Sequence, residues 1–206
     1  MVSETERVRG IYDKMADRYD GMIRLSERLF MGDGRGWVCS QARGDVLEIA
    51  IGTGRNMPFY PQEVRLTGVD LSPAMLAVAR QRAQKLGRAV DLRVGNAQAL
   101  DFPDASFDTV VCTLSLCTIP DDRRAVAEAV RVLRSGGRLL LLEHVRSPIA
   151  AVRTLQRLLE PLFVRFWADH LLRDPLDYLA SEGLELERVE RSTWGIVERL
   201  SARKSR

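Results

Sequence analysis

The chain has 206 residues and a mass of 23.2 kDa, with 46% hydrophobic and 29% charged residues, values of an ordinary folded domain that exclude a disordered or low-complexity polypeptide. Lys and Arg number 31 against 28 Asp and Glu, so the net charge of +3 is too even to mark a nucleic-acid binder by its field. No apolar run reaches the roughly 18 residues needed to cross a bilayer, and the N-terminal residues Met1 to Glu6 lack the pattern of a secretory signal.

Cys39, Cys112 and Cys117 form no CxxC pair, which suits a reduced, cytoplasmic setting, and with only His144 and His170 beside them no metal centre is expected. From Val8 the apolar positions Ile11, Tyr12, Met15, Tyr19, Met22 and Ile23 follow at intervals of three and four, predicting an amphipathic helix. Gly32, Gly34 and Gly36 crowd a turn, and Asp45 to Ile51 reads as a buried strand ended by Gly52-Thr53-Gly54. A second strand, Val64 to Val69, stops at Asp70, and Ser72-Pro73 opens a helix. Ala89 to Val94 is a third strand, Phe107 to Leu116 a fourth, Asp121 to Leu133 a helix, and Arg138 to Glu143 a fifth strand whose leucine run fits burial on both faces.

This alternation predicts an α/β fold, a parallel sheet with helices on both sides. After Pro148, the stretch Ile149 to Leu172 has helical spacing broken by Pro161, and a short helix follows near Asp174 to Ser181. Two last strands, Leu184 to Ser192 and Gly195 to Ala202, form a hairpin around a two-residue turn. The whole chain, 1–206, is expected to be one domain, with residues 1–40 as a helical lid and 148–180 as a helical insertion.

A glycine loop after the first strand lies at the carboxyl edge of such a sheet, where open α/β folds bind ligands, and glycine there permits close backbone approach. Asp70, about 20 residues on, is placed to accept from two ribose hydroxyls. Together they predict an adenosine-bearing ligand. A dinucleotide is disfavoured, because Met57 stands where the third glycine of that fingerprint belongs.

The run Val46 to Gly54 resembles the first motif of class I S-adenosylmethionine-dependent methyltransferases, and Asp70 to Leu76 resembles the second. Asn96 to Leu100 with Phe102 to Asp108 is similar to the third, and Val130 to Arg138 to the turn before the fifth strand, with Ser135 in place of the usual proline. The resemblance implies a doubly wound, mostly parallel seven-stranded Rossmann-like methyltransferase sheet with a C-terminal antiparallel hairpin. Tyr12 to Asp20, and Ala50 where most of the class has glycine, resemble the quinone C-methyltransferases, whose longer insertion after the fifth strand this chain lacks. Val111 to Cys117 and Leu142 to Val145 more closely resemble bacterial phospholipid N-methyltransferases and thiol S-methyltransferases.

Carried onto this chain, the resemblance implies S-adenosyl-L-methionine as cofactor. Gly52, Thr53 and Gly54 would lie at its amino-acid end, with Glu48 helping to hold that loop, and Glu48, Ala50 and Asn56 are also expected to bind the cofactor. Asp70 would take the ribose, Leu71 and Met75 would cover the adenine, and Asn96 and Ala97 would meet its polar edge. Thr113 and Leu114 would stand near the methyl group; for Leu71, Met75 and Leu114 core packing is the competing account.

A sulfonium already activates the methyl, so the protein need only align an acceptor and exclude water, with a base where the acceptor must lose a proton. His144, next to Glu143, which would orient its ring, is the candidate base; the alternative is a structural cap on the turn. His170 reads as a surface residue. Tyr19 either reaches over the cofactor or packs on the core.

The lid and the insertion mix apolar residues with arginines, so their faces either lie on an anionic inner-membrane surface and admit a lipid-like acceptor or are solvated and ion-paired to Glu4, Glu6, Asp13, Asp17 and Glu27. The expected acceptor is small or amphipathic: a phospholipid amine first, then a thiol or a quinone precursor. A non-catalytic cofactor-binding module is the alternative of another class. Thr113-Leu114-Ser115-Leu116, unlike the motif of base amino-group methyltransferases, argues against nucleic acid.

Overall fold

The computed structural model describes residues 3–205; Met1, Val2 and Arg206, the ends of the expected 1–206 domain, lie outside the described residues. Seven strands form one sheet: β1 (Asp45–Ile49), β2 (Arg65–Asp70), β3 (Val90–Val94), β4 (Phe107–Thr113), β5 (Leu133–His144), β6 (Leu184–Ser192) and β7 (Val197–Lys204). Their order is β3-β2-β1-β4-β5-β7-β6, with the first five parallel and β7 antiparallel to both β5 and β6. The chain runs outward from β1 to β3 and then returns to place β4 on the other side of β1. A crevice therefore opens at the carboxyl ends of β1 and β4, where the strand order reverses.

Side chains alternate across the sheet and supply two cores. Leu139 and Leu141 of β5 pack with Leu47, Ile49 and Val110 on one face, against α4 (Asp122–Val132). Leu140 and Leu142 pack with Val46 and Val111 on the other, against α2 (Gly34–Cys39) and α3 (Pro73–Leu86). α3 starts where Ser72 accepts from the Met75 amide with Pro73 in the first turn, and it stops at Gly87 in the left-handed region.

The N-terminal helix, α1 (Glu4–Ser26), opens on a capping box between Ser3 and Glu6 and continues as a π-turn over Glu27–Met31. The glycine-rich stretch after it is the short helix α2 and not only a turn. A Cβ on Gly34 would lie 2.8 Å from Leu142 Cδ1, so the glycines let α2 press onto β5.

Pro161 does not break α5 (Ala150–Trp167): it and Arg157, whose carbonyl loses its partner, are both exposed, and water can satisfy that carbonyl. The expected helix near 174–181 is two 3₁₀ turns, Pro175–Asp177 and Leu179–Glu182. β4 ends at Thr113, short of the expected Leu116, because Leu114 turns the chain with φ 53°. The hairpin connection is longer than two residues: Thr193, Trp194 and Gly195 all have positive φ, and β7 starts at Val197. Among the described residues no helix is long and apolar enough to cross a membrane.

Candidate active site

The turn after β1 is built on three positive φ angles, Ala50 at 52°, Gly52 at 57° and Gly54 at 76°. Only Ala50 carries a side chain there, and a left-handed alanine is strained by roughly 1–2 kcal/mol. A Cβ on Gly54 would fall 2.5 Å from Met57 Cε, so Met57 fills the space beneath the loop, whereas one on Gly52 would enter open space at the crevice. Asp70, at the end of β2, spans two loops: Oδ2 accepts from the Gly52 amide at 2.7 Å and Oδ1 from the Ser72 amide at 2.8 Å. Burial pushes its carboxyl up to about 6 although these amides favour the charged form.

These loops wall a first cavity, open to solvent. Of the residues expected from sequence, the structure brings Tyr19, Ala50, Gly52, Asp70, Leu71, Met75, Asn96, Ala97 and Leu114 to its wall. Leu114 repeats the strain of Ala50 on the neighbouring strand end. Glu48, Thr53, Gly54, Asn56 and Thr113 are not in the wall but stand behind it. Glu48 accepts from Asn56 Nδ2 and the Tyr60 hydroxyl, each at 2.8 Å, and Asn56 Nδ2 also donates to Thr113 Oγ1 at 2.9 Å. Burial raises Glu48 to about 7. These groups bond to one another behind the loop, and Thr113, expected near the methyl group, is bonded instead to Asn56 and to Arg35 Nη1 at 3.1 Å.

Sequence reasoning missed Arg9 and Tyr12 of α1 and Gln98, Ser115, Thr118 and Pro120 in the loops. The only signal was helical spacing, which put Tyr12 and Tyr19 on one face; their rings meet edge to face at 6.1 Å.

The N-terminal helix and its π-turn are held by carboxylates. Glu27 accepts from Arg35 Nε at 3.1 Å and from Arg55 Nε at 3.0 Å, and Arg35 continues to Asn56 Oδ1 at 2.7 Å. Asp20 accepts from Thr53 Oγ1 at 2.7 Å and pairs with Arg82. Asp13 accepts from Ser72 Oγ at 2.5 Å. Of the acids expected to neutralise a solvated helix face, Glu27 and Asp13 instead tie α1 to the cavity loops, while Glu4 pairs with Arg7 and Glu6 serves the cap.

A second, larger cavity shares Tyr12, Tyr19, Leu114 and Thr118 with the first. Its remaining wall is largely apolar, with Met15, Met22 and Ile23 from the lid and Phe163 and Trp167 from α5, and its polar end holds Cys117, His144 and Asp169. Their donor atoms lie within 4.8 Å of one another, a grouping hidden in the sequence by separations of some 25 residues or more.

His144 Nε2 lies 2.8 Å from Asp169 Oδ1. Burial works against a charged ring, but Asp169 outweighs it and lifts the histidine above its ordinary range. Glu143 does not orient this ring as expected. Adjacent strand residues face opposite ways, and its carboxylate accepts from the Ser115 amide at 3.0 Å and the Leu116 amide at 3.2 Å. His170 lies partly exposed, 3.5 Å from Glu160.

Outside the cavity, α5 leaves Leu155, Leu158, Leu162 and Phe166 exposed, and the lid leaves Met22, Leu25 and Leu29 exposed.

Residues 47–141 match a family model described as a methyltransferase domain. The chain is 41% identical over 114 residues to a phosphatidylethanolamine N-methyltransferase of Cereibacter sphaeroides, covering 53% of this chain and 56% of that one. It is 32% identical to a demethylmenaquinone methyltransferase of Thermus thermophilus, covering 71% and 70%. It is also 32% identical to a thiol S-methyltransferase of Homo sapiens, covering 76% and 59%. The chain thus spans less than two thirds of the length of several of these relatives. A SAM-dependent methyltransferase structure from Thermotoga maritima superposes with a TM-score of 0.73 at 22% identity, over 96% of this chain and all of that one.

Proposed function

The chain belongs to the S-adenosylmethionine-dependent methyltransferases of class I fold, and on that footing we propose that it methylates an amphipathic acceptor, a phospholipid amine first among the candidates. The observation that carries this reading is the pair of adjoining cavities, one at the strand ends with Asp70, Ser72, Asn96 and Gln98 in its wall and one more apolar, with Tyr12, Tyr19, Leu114 and Thr118 as their common wall.

The first cavity fits the cofactor. Gly52 leaves the backbone open to close approach, and each Asp70 oxygen keeps a lone pair beyond its amide bond for a ribose hydroxyl. Leu71 and Met75 offer apolar surface to a base, and Asn96 and Ala97 flank it. Bound there, the cofactor supplies a methyl group already activated on sulfonium.

The chain's own residues then position and desolvate. Tyr19 and Leu114 stand between the two cavities, the lid and α5 exclude water, and His144 is the candidate proton acceptor. The exposed leucines and Phe166 of α5, among Arg153, Arg157 and Arg165, support a peripheral contact with an anionic bilayer from which a lipid acceptor enters the second cavity.

Radiolabelled methyl transfer from the cofactor, measured in parallel into phosphatidylethanolamine vesicles, apolar thiols and quinone precursors, tests the reading. Label in the lipid extract is expected. Label only in thiols or quinones would replace the acceptor, and none in any would reject catalysis in favour of a cofactor-binding module.

A further inference from the structure

Asp169 pairs with His144 Nε2 at 2.8 Å, and the Cys117 sulfur lies within 4.8 Å of both. An ionised carboxylate only accepts, so Nε2 carries a proton, and in the neutral ring the lone pair is left on Nδ1. Nδ1 is buried and has no hydrogen-bond partner among the described residues, and its ring forms part of the second cavity's wall. Leaving such a group unsatisfied costs roughly 1–3 kcal/mol, which calls for a reason beyond packing.

The carboxylate reaches this position through α5. The helix ends at Trp167, Ala168 turns the chain with φ 55°, and Asp169 follows. The next amide, that of His170, donates to the Cys117 carbonyl at 2.9 Å and pins the segment beside β4. The helix that gives Phe163 and Trp167 to the acceptor cavity therefore also delivers the histidine's partner.

We propose that Asp169 is a positioning residue that holds His144 in its Nε2–H form, so that Nδ1 takes a proton from the acceptor's attacking atom. The inference rests on the methyltransferase reading and narrows its acceptor. The attacking atom must bear a removable proton, as in an ammonium, a thiol or a carbon acid, which excludes a thioether.

The step balances. The proton passes to Nδ1, the electron pair it leaves forms the bond to the methyl carbon, and the pair of the broken carbon–sulfur bond stays on sulfur. One positive charge thus moves from sulfonium to an imidazolium that Asp169 stabilises. The other titratable groups around the ring are Glu143 on β5, Glu160 on α5 with its partner His170, Cys117 after β4, and Tyr12 and Tyr19 of the lid. Asp169 alone of these is hydrogen-bonded to the ring among the described residues.

The test is nitrogen NMR of the full chain with labelled histidine, His144 being assigned from His144→Gln, together with pH profiles of turnover. The neutral His144 ring should show the Nε2–H tautomer. Asp169→Asn should lower the ring's pKa, move the acid limb of kcat to lower pH and reduce kcat roughly 10- to 1000-fold, with the acceptor KM and cofactor affinity within about twofold.

An Nδ1–H tautomer in the unaltered protein would overturn the proposal, whether or not Asp169→Asn folds. So would an Asp169→Asn protein with a lower melting temperature but an unmoved pH profile and tautomer. A thiolate-to-cobalt absorption band on adding Co²⁺, lost in Cys117→Ser, would instead make the cluster a metal site. Should no acceptor be methylated, the functional reading fails, while the tautomer and ring pKa still decide the pair.

Discussion

The Asp70 carboxylate at the end of β2 accepts from the Gly52 amide at 2.7 Å, tying the turn after β1 to the strand beside it. One side chain thus shapes the glycine loop and faces the first cavity. Asp70→Asn keeps the shape but loses the charge-assisted bonds, each worth roughly 1.5–3 kcal/mol, so cofactor affinity by calorimetry should fall about 10- to 100-fold. Because burial holds Asp70 near 6, affinity should also be weaker at pH 5 than at pH 7.5, where the carboxylate is ionised, and the Asp70→Asn protein should lack that dependence. Equal affinity of the two proteins would remove Asp70 from the site.

Glu27, in the π-turn that continues α1, joins that segment to the cavity loops through Arg35 and Arg55, and both guanidiniums are largely shielded from solvent. Losing its charge leaves Arg35 without a paired carboxylate among the described residues and Arg55 with Asp20 alone, and should cost about 1–3 kcal/mol, less than a fully buried pair because the cluster keeps some solvent contact. Glu27→Gln should speed amide exchange across residues 4–31 and quicken cofactor release. Unchanged exchange in α1 would show that the lid is held by its apolar contacts alone.

Three buried carboxyls contribute to the pH dependence of stability. Glu48 is raised to about 7, Asp70 and Glu143 to about 6, all mainly by burial. A raised acid stabilises the fold fully below its unfolded pKa, and the contribution is lost as pH rises through the folded value, by roughly 1.4 kcal/mol per pH unit and group in that window. Urea midpoints of the cofactor-free protein should therefore fall between pH 5 and pH 7. Glu48→Gln should flatten that slope; a flat profile in the unaltered protein would show that these carboxyls ionise normally.

Leu158 is the most exposed apolar side chain of α5, at 73%. Leu158→Glu should therefore change the unfolding free energy by no more than about 0.5 kcal/mol. It should reduce sedimentation with anionic vesicles several-fold and transfer to vesicle lipid in proportion, with little change for a dispersed acceptor. Undiminished vesicle binding would place any membrane contact elsewhere.

Much of this molecule is legible along the chain. Hydrophobic periodicity and turn chemistry are local, so the strand and helix alternation, the glycine turn and Asp70 at the end of β2 follow from neighbours within some 20 residues. The lining of the first cavity by Gly52, Asp70, Leu71, Met75, Asn96 and Leu114 belongs to that class, since each sits at or just beyond a strand end or, for Met75, in the first turn of the helix that follows.

Side-chain direction and long-range meeting belong to the tertiary structure. Thr113 and Glu143 were placed correctly on their strands, yet the sheet turns one toward Asn56 and Arg35 and the other toward the Ser115 and Leu116 amides. His144 meets Asp169 only because α5 folds back across the sheet edge, and Glu27 finds Arg35 and Arg55 only because the lid lies over the loops. Local propensity specifies backbone conformation, whereas which charged groups share a low-dielectric pocket depends on how whole elements pack, and that packing sets their hydrogen bonds and proton affinities.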